Sequence, residues 1–284
     1  MKNDNDNKQQ IVVKSNRLIE ASYRLDLVEQ RIILKAIVEA RNTGRGINAE
    51  TFLEVRASDF AATFNTDERN AYAQLRASAD TLFNRWILLR GIDEITGKPM
   101  ERKTRWVSTV DYVEGAGLIR IQFAPVVIPY ITRLESEFTS YHISAVSQMS
   151  SSYAIRLYEL LIQWGSTGSR VLALNELKEI LQVTKDYAHI SDFKKRVIDL
   201  AVEQINQHSD LSVSYSQQKN GRTITHLIFT FNLKPKAPKQ PKTRQLAGAG
   251  GMSKKEIERL ARPGETYEEA EERIRTSMQP ELFN

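Results

Sequence analysis

The chain has no cysteine and only four histidines among its 284 residues. Without cysteine it can form no disulfide framework, no thiolate metal site and no thiol nucleophile. No apolar run approaches the roughly 20 residues that span a membrane. The opening MKNDNDNKQQ lacks the apolar segment of a signal peptide. The sequence therefore predicts a cytoplasmic protein without a membrane partner.

Patterns typical of catalysis are also missing. The widely spaced histidines include no pair at metal-ligand spacing with a carboxylate; they are His142, His189, His208 and His226. Gly97-Lys98 is not followed by the Ser or Thr of a phosphate-binding loop. A tyrosine nucleophile that nicks DNA would normally work with a paired-histidine metal site, so a nicking enzyme is the weaker alternative. We expect no catalytic site, no metal and no cofactor.

Positive charge is in modest excess. The chain carries 40 Lys and Arg against 35 Asp and Glu, a net charge of +5, and its pI is about 9.2. This balance favours a polyanionic partner such as nucleic acid. A hydrophobic content of 41% supports packed cores, and the length suits two domains of about 150 residues each.

The stretch 191–231 begins with the pattern of an amphipathic helix. Ser191 is a candidate N-cap. Residues for a buried face then recur at helical spacing; they are Phe193, Val197, Leu200, Ala201, Gln204 and Ile205. At about 100° per residue, Lys195 points away from Phe193, and Lys194 and Ile198 lie beside Lys195. The pattern predicts one helix with a buried face and an exposed basic face.

A hairpin follows this helix. Leu211, Val213 and Tyr215 alternate with serines, which is the period of a half-buried strand. The turn Lys219-Asn220-Gly221-Arg222 places positive charge at the tip, and its Asn-Gly pair can supply positive φ angles. A basic helix before a basic hairpin is the layout of a winged helix, whose helix enters the major groove while the wing contacts phosphates. The alternative is a small α+β domain with a solvated basic face.

The N-terminal half has the same order of elements. The pattern predicts helices at 25–40, 58–64 and 66–85 and strands at 52–55, 86–89, 104–112 and 118–123. We therefore expect an α+β fold of two tandem winged-helix domains, 11–148 and 149–234, after a disordered segment 1–10. The proline-rich basic stretch KPKAPKQPKTR, residues 234–244, is the predicted linker, and we expect 235–284 as a whole to be a basic linker and flexible tail.

Several motifs resemble those of the iteron-binding plasmid replication initiators. LDLVEQRIILKAI matches the family's opening helix with its Glu-Gln-Arg core, and SYAIRLYELLIQW matches the first helix of its second domain. The segment 193–222 contains the family's phenylalanine, basic cluster, Glu-x-Ile-Asn and Asp-Leu junction, and Lys-x-Gly-Arg wing. Gln204 departs from the Lys or acid that usually precedes Ile-Asn. The resemblance covers residues 11–234.

This resemblance implies a function in replication. Such initiators bind directly repeated origin sites, called iterons, as monomers, and help to melt adjacent AT-rich DNA. They recruit host replication factors, which include the helicase and the host initiator. As dimers they often repress their own gene, and the first domain typically carries the dimer interface. The alternative is a winged-helix transcriptional regulator with the same two domains and no initiator role.

The resemblance also implies which residues contact double-stranded DNA. The candidate major-groove readers are Lys194, Lys195 and Arg196, and the helical geometry favours Lys195. Lys219 and Arg222 of the wing would hold phosphates. The corresponding candidates of the first domain are Arg69, Arg76, Arg102, Lys103 and Arg105. For each of them the alternative is a solvated surface residue.

The segment 279–283 resembles the short peptide with which bacterial proteins dock on the replication sliding clamp. In that peptide a glutamine is followed by two variable residues and Leu-Phe. Here these are Gln279, Leu282 and Phe283, and the last two would be the hydrophobic anchors. Because the motif is short, chance occurrence is the alternative.

Overall fold

The larger of two structural units contains all the elements described below. The computed structural model describes residues 10–43, 48–132, 137–235, 269, 270, 272 and 273. The chain divides into the units Met1–Lys234 and Pro235–Asn284. The predicted disordered segment 1–10 lies outside the described residues except for Gln10, and so does nearly all of the predicted tail.

The first part of the larger unit contains both helices and strands. Its strands are β1 (Ile11–Ser15), β2 (Ser22–Tyr23), β3 (Leu53–Arg56), β4 (Trp86–Ile92), β5 (Pro99–Arg105), β6 (Val107–Val113), β7 (Leu118–Phe123) and β8 (Phe138–His142). Its helices are α1 (Asn16–Glu20), α2 (Leu27–Thr43), α3 (Ala57–Phe64), α4 (Glu68–Leu82), α5 (Pro129–Thr132) and α6 (Ser144–Ser147).

The second part ends in a long hairpin. Its helices are α7 (Ser152–Ile162), α8 (Leu174–Ile180), α9 (Ile190–Phe193) and α10 (Leu200–His208), and a π-helical stretch, Lys194–Asp199, joins the last two. Its strands are β9 (Ser169–Ala173), β10 (Leu211–Asn220) and β11 (Thr223–Leu233).

Two antiparallel sheets share one topology. Their strand orders are β3–β7–β6 and β9–β11–β10, so in each the first strand pairs with the last strand of a hairpin. Each sheet has one helix before its first strand, α2 or α7, and a short helix after that strand, α3 or α8. A longer helical stretch then precedes the hairpin; it is α4 in the first case and the continuous stretch 190–208 in the second. We call α2, β3, α3, α4, β6 and β7 the first winged helix, and α7–α10 with β9–β11 the second winged helix. The predicted order of two winged helices is confirmed.

The first winged helix also contains an inserted hairpin. The strands β4 and β5 stand between α4 and β6 and form a separate sheet, ordered β2–β4–β5. The prediction of one strand over 104–112 was therefore wrong, because β5 and β6 belong to different sheets. The chain crosses between the sheets at Trp106, which is fully buried and meets Tyr23 edge to face at 4.9 Å between ring centroids. Burial of this large side chain fixes the break.

A reciprocal cap begins α2 and explains its Glu-Gln-Arg core. The backbone N–H of Asp26 donates to Glu29 Oε2 at 2.7 Å, and the N–H of Glu29 donates to Asp26 Oδ1 at 2.8 Å. Glu29 is fully buried and also accepts two bonds from Arg85 Nε. Arg31 donates to the carbonyls of Ser147 and Met149. The motif thus ties α2 to α4's end and to α6.

Helix α7 lies at the centre of the larger unit, with every residue from Ala154 to Leu161 buried. On one side, Glu159 accepts hydrogen bonds at 2.6 Å from Lys14 Nζ of β1 and from the hydroxyl of Tyr141 of β8. Arg156 lies 3.5 Å from the same carboxylate and donates to the Tyr23 hydroxyl. We call these five side chains the Glu159 cluster. It joins four elements through buried charge.

Helix α7 also makes contacts within the second winged helix. Here α7 packs against α10, and the Tyr158 hydroxyl donates to Asp210 at 2.9 Å. Further ion pairs connect the two parts of the chain: Arg24 with Asp186, Arg90 with Glu179, and Arg170 with Glu20. The first part of the chain and the second winged helix therefore meet at α7 and at these ion pairs.

We predict that Glu159→Gln strongly destabilises the fold. The variant keeps the shape of the side chain but leaves Lys14 and Arg156 buried without their counter-ion. Breaking a buried ion pair in this way costs about 3–5 kcal/mol of unfolding free energy, which urea unfolding measures. The matched control is Asp186→Asn, because the Asp186–Arg24 pair is 38% and 51% exposed and exposed pairs contribute about 0–1 kcal/mol. Equal small losses in both variants would contradict the prediction.

We also predict that the difference in unfolding free energy between wild type and Glu159→Gln depends on pH. Burial raises the pKa of Glu159, but the charges of Lys14 and Arg156 and the hydrogen bonds of Lys14 and Tyr141 outweigh it, so the pKa lies below the ordinary 4.5. The resulting stability is present above that ordinary value and is lost as the pH falls through the lower pKa of the folded protein. The gap in unfolding free energy between wild type and Glu159→Gln should therefore narrow in acid. A gap independent of pH would argue against it.

Candidate nucleic-acid interface

The predicted recognition helix of the second winged helix has three segments. The α-helix Ile190–Phe193 passes into the π-helix Lys194–Asp199 and then into the α-helix Leu200–His208. The N-cap is His189 and not the predicted Ser191. The basic cluster 194–196 thus begins the π-helical stretch, a rare conformation found frequently at functional sites.

The π-helix changes which residues are buried. Its i→i+5 hydrogen bonds put more residues into each turn, so side chains after Phe193 lag behind the α-helical register. Ile198, predicted beside the exposed Lys195, is fully buried. Leu200, predicted on the buried face, is 38% exposed. Both predictions were wrong because they assumed a uniform 100° per residue. Phe193, Val197, Ala201, Gln204 and Ile205 are buried as predicted.

The three candidate readers occupy different environments. Lys195 is exposed, as its position opposite the buried Phe193 predicted. Lys194 is half-buried, with Nζ 5.7 Å from the centre of the Tyr215 ring. Arg196 is exposed and lines an open groove with Arg24, Arg85 and Leu200. Lys195 and Arg196 are therefore the side chains of this cluster that face solvent.

The wing carries its basic residues at the tip. Asn220 pairs with Thr223 across β10 and β11, so the turn consists of Gly221 and Arg222. Gly221 has φ +61°, and Asn220 is not among the residues with positive φ. The predicted Asn-Gly turn was therefore wrong in register by one residue, which fits a turn that needs positive φ only at its first position. Lys219 and Arg222 are both exposed.

Two side chains of α10 fix the wing and the residues that precede α7. The Asn206 side chain accepts from the Val213 N–H at 2.7 Å and donates to the Val213 carbonyl at 2.8 Å, which ties α10 to β10. Gln204 Oε1 accepts from the N–H groups of Ser150 and Ser151 at 2.9 and 3.0 Å. Gln204, which departs from the family pattern, therefore holds the two residues that precede α7.

The candidates of the first winged helix lie on two separate elements. Arg69 and Arg76 are exposed on α4, and the Arg76 guanidinium lies 5.5 Å from the centre of the Tyr112 ring of β6. The other three are exposed on β5 of the inserted hairpin, not on the β6–β7 wing; they are Arg102, Lys103 and Arg105. The tip of the β6–β7 wing contains Glu114 and no basic residue.

Aromatic rings hold two cations of the inserted hairpin. Lys103 Nζ lies 4.3 Å from the centre of the Trp86 ring, and the Arg105 guanidinium lies 4.7 Å from that of Phe83. The sequence pattern identified these cations but not their rings, because Trp86 and Phe83 lie about 20 residues before Lys103 and Arg105 in the chain and meet them only through strand pairing.

Metal sites and membrane-spanning helices were the other features to check. Within the described residues, no group of three or more His, Asp or Glu could hold a metal ion, and no helix is long and apolar enough to cross a membrane. The predicted clamp residues Gln279, Leu282 and Phe283 lie outside the described residues.

Fold and surface together define a tandem winged-helix protein with exposed basic side chains on both recognition helices. The chain matches the family model described as Initiator Replication protein, WH1, over residues 11–162 and the model described as Initiator Rep protein, WH2, over residues 173–231. It belongs to the initiator replication protein family. The predicted family and the α+β fold with two winged helices are confirmed.

Individual proteins that resemble the whole of the larger unit have low sequence identity to this chain. An uncharacterised 27.6 kDa protein of Escherichia coli is 23% identical over 234 residues, which are 78% of this chain and 95% of that protein. The crystal structure of the Pi initiator protein in complex with iteron DNA is 24% identical, with a TM-score of 0.68. The aligned region covers 81% of this chain and 100% of that protein's chain. This likeness shows a shared fold. The WH1 domain of a replication protein isolated from a multiple sclerosis patient is 44% identical, covering 41% of this chain and 88% of that domain, with a TM-score of 0.34.

We predict that Lys195→Ala and Arg196→Ala each weaken binding to a specific DNA site by about 1–3 kcal/mol, as expected for contacts to base edges. Binding to random DNA should change much less. Titrations of both DNAs at one fixed salt concentration measure the difference. The control is Lys98→Ala, an exposed lysine outside the candidate set. Equal losses on the two DNAs would show that the side chains contact phosphates only.

Proposed function

We propose that this protein initiates plasmid replication by binding directly repeated origin DNA, the iterons, as a monomer. The observation that carries the proposal is that one compact unit contains two unlike winged helices. The second has a basic wing tip and the first an acidic one. A symmetric dimer matches a palindrome, whereas two unlike domains in one chain match an asymmetric site. Asymmetric sites are suited to direct repetition.

The proposed division of labour follows the predicted domains. The domain 149–234 would read bases through Lys195 and Arg196 and hold phosphates through Lys219 and Arg222. The domain 11–148 would add contacts through α4 and the inserted hairpin. The solved Pi initiator, which shares this fold, is bound to iteron DNA. The proposed role is DNA binding without catalysis or a cofactor, and it places the protein in the cytoplasm with the plasmid.

The later steps are also part of the proposal. Bound monomers would open adjacent AT-rich DNA and recruit the host helicase and host initiator, and a homodimer would repress the protein's own gene. The inserted hairpin supports self-association, because β5 lies at the edge of its sheet and pairs only with β4 among the described strands. An open strand edge can pair with a second copy.

The alternative function is transcriptional regulation without initiation. The same two winged helices would serve a regulator, so DNA binding alone does not separate the two functions. Replication of a plasmid that lacks its own initiator does separate them, since only an initiator supports it.

We predict that the purified protein protects several evenly spaced repeats next to its own gene. Footprints at two salt concentrations test this, because base readout survives higher salt better than phosphate contacts alone. Protection of a single inverted repeat would favour the regulator. Diffuse protection that disappears with salt would overturn the assignment of the recognition helix.

We further predict that the segment 279–283 captures the sliding clamp. Deletion of 279–284 should abolish pull-down of the purified clamp, because the hydrophobic anchors Leu282 and Phe283 are lost. The matched control changes the variable positions, Pro280→Ala with Glu281→Ala, and should retain capture. Unchanged capture after the deletion would refute the clamp-binding role of this segment. It would not bear on the proposal that the protein binds DNA.

A further inference from the structure

Tyr215 of the wing strand β10 contacts both ends of the π-helical stretch. Its hydroxyl donates a hydrogen bond of 2.5 Å to Oδ1 of Asp199, the last π-helical residue. Lys194, the first π-helical residue, places Nζ 5.7 Å from the centre of the Tyr215 ring. One side chain therefore touches the beginning and the end of the six residues that include Lys195 and Arg196.

Tyr215 is itself held in place by the sheet. Its ring lies 5.8 Å from that of Phe229, and Phe229 is fully buried on β11. Residues 215 and 229 are direct partners in the β10–β11 register, where cross-strand pairs stabilise a sheet. Burial, followed by the bond to Asp199, raises the pKa of Tyr215. The hydroxyl therefore remains a proton donor at neutral pH.

The first winged helix provides an internal comparison. Tyr112 on β6, like Tyr215 on β10, lies on the first strand of its wing hairpin. It meets α4 through the side chains of Arg76 and Tyr72, at 5.5 and 5.8 Å from its ring centre. Helix α4 is an uninterrupted α-helix over Glu68–Leu82. A wing tyrosine with a helix cation is thus common to both domains, while the bond to an acid accompanies the π-helix in the second.

We infer that Tyr215 is a positioning residue for sequence-specific DNA recognition: by holding Asp199 and Lys194 it maintains the π-helix and so sets the directions of Lys195 and Arg196. This inference rests on the proposed DNA-binding function. Base edges are read by hydrogen bonds with fixed geometry, whereas phosphate contacts carry no sequence information. Loss of the contacts of Tyr215 with Asp199 and Lys194 should therefore reduce the specificity of DNA binding more than the affinity for random DNA.

Tyr215→Phe is the sharpest test, because it removes the hydroxyl and keeps the ring against Lys194 and Phe229. We expect affinity for a single iteron to fall roughly tenfold, within the range of one good base contact, with little change in affinity for random DNA or in the salt dependence. Asp199→Ala removes the same bond from the helix side, and the double variant should lose no more than either single variant. Tyr112→Phe, the same change in the first winged helix, should leave the ratio of the two affinities as it is.

A measurement without DNA separates this inference from the proposed function. In the free protein, Tyr215→Phe should speed hydrogen exchange of the amides of 194–199, relative to wild type and to Tyr112→Phe, at an unchanged urea midpoint. Unchanged exchange would overturn the inference whatever the protein binds. If wild type prefers the iteron and Tyr215→Phe keeps the same preference, the inference fails and the proposed function stands. If wild type shows no preference, the proposed function fails and the specificity role fails with it.

Discussion

The carboxylate of Glu159 is the contact on which the larger unit depends. It lies fully buried on α7 beside two cations, Lys14 and Arg156, and both of these side chains are buried as well. None of these charges could remain in the interior alone, since an unpaired buried ion costs several kcal/mol. Strands β1, β8 and β2 supply the partners, while α7 also packs against α10. Separating the second winged helix from these three strands would therefore leave the buried charges without partners. Helix α7 therefore joins the second winged helix to the first part of the chain.

Much of this fold could be predicted because its local patterns agree with its tertiary structure. The helix α2 and both wing hairpins have strong periodicity, and their existence and order were correct. The errors fall where long-range packing overrides the local pattern. No glycine or proline separates β5 from β6 around Trp106, so the sequence does not show that a buried tryptophan moves the chain from one sheet to another. The π-helix likewise has no local signal that distinguishes it from an α-helix, and its rotation exchanged the environments of Ile198 and Leu200.

The candidate interface shows the same division. Exposure of Lys195 could be predicted, because it depends only on the turn of one helix away from Phe193. The contact of Lys194 with Tyr215 depends on the strand register and on the π-helix. A helical wheel represents neither of them. Gln204 is a second example: in sequence it is an unusual residue before Ile-Asn, and in space it accepts two backbone N–H groups at the start of α7. Residues that connect elements distant in the chain are those that sequence patterns miss.

The unequal wings have a consequence for assembly. A chain with one basic wing tip and one acidic wing tip contains no two-fold axis of its own. On directly repeated DNA, successive copies would be related by a screw motion about the duplex, and all would face the same way. Such an arrangement is open-ended, since head-to-tail contacts do not close on themselves. The number of protein copies would be set by the DNA and not by the protein, and the finished array would have two chemically different ends.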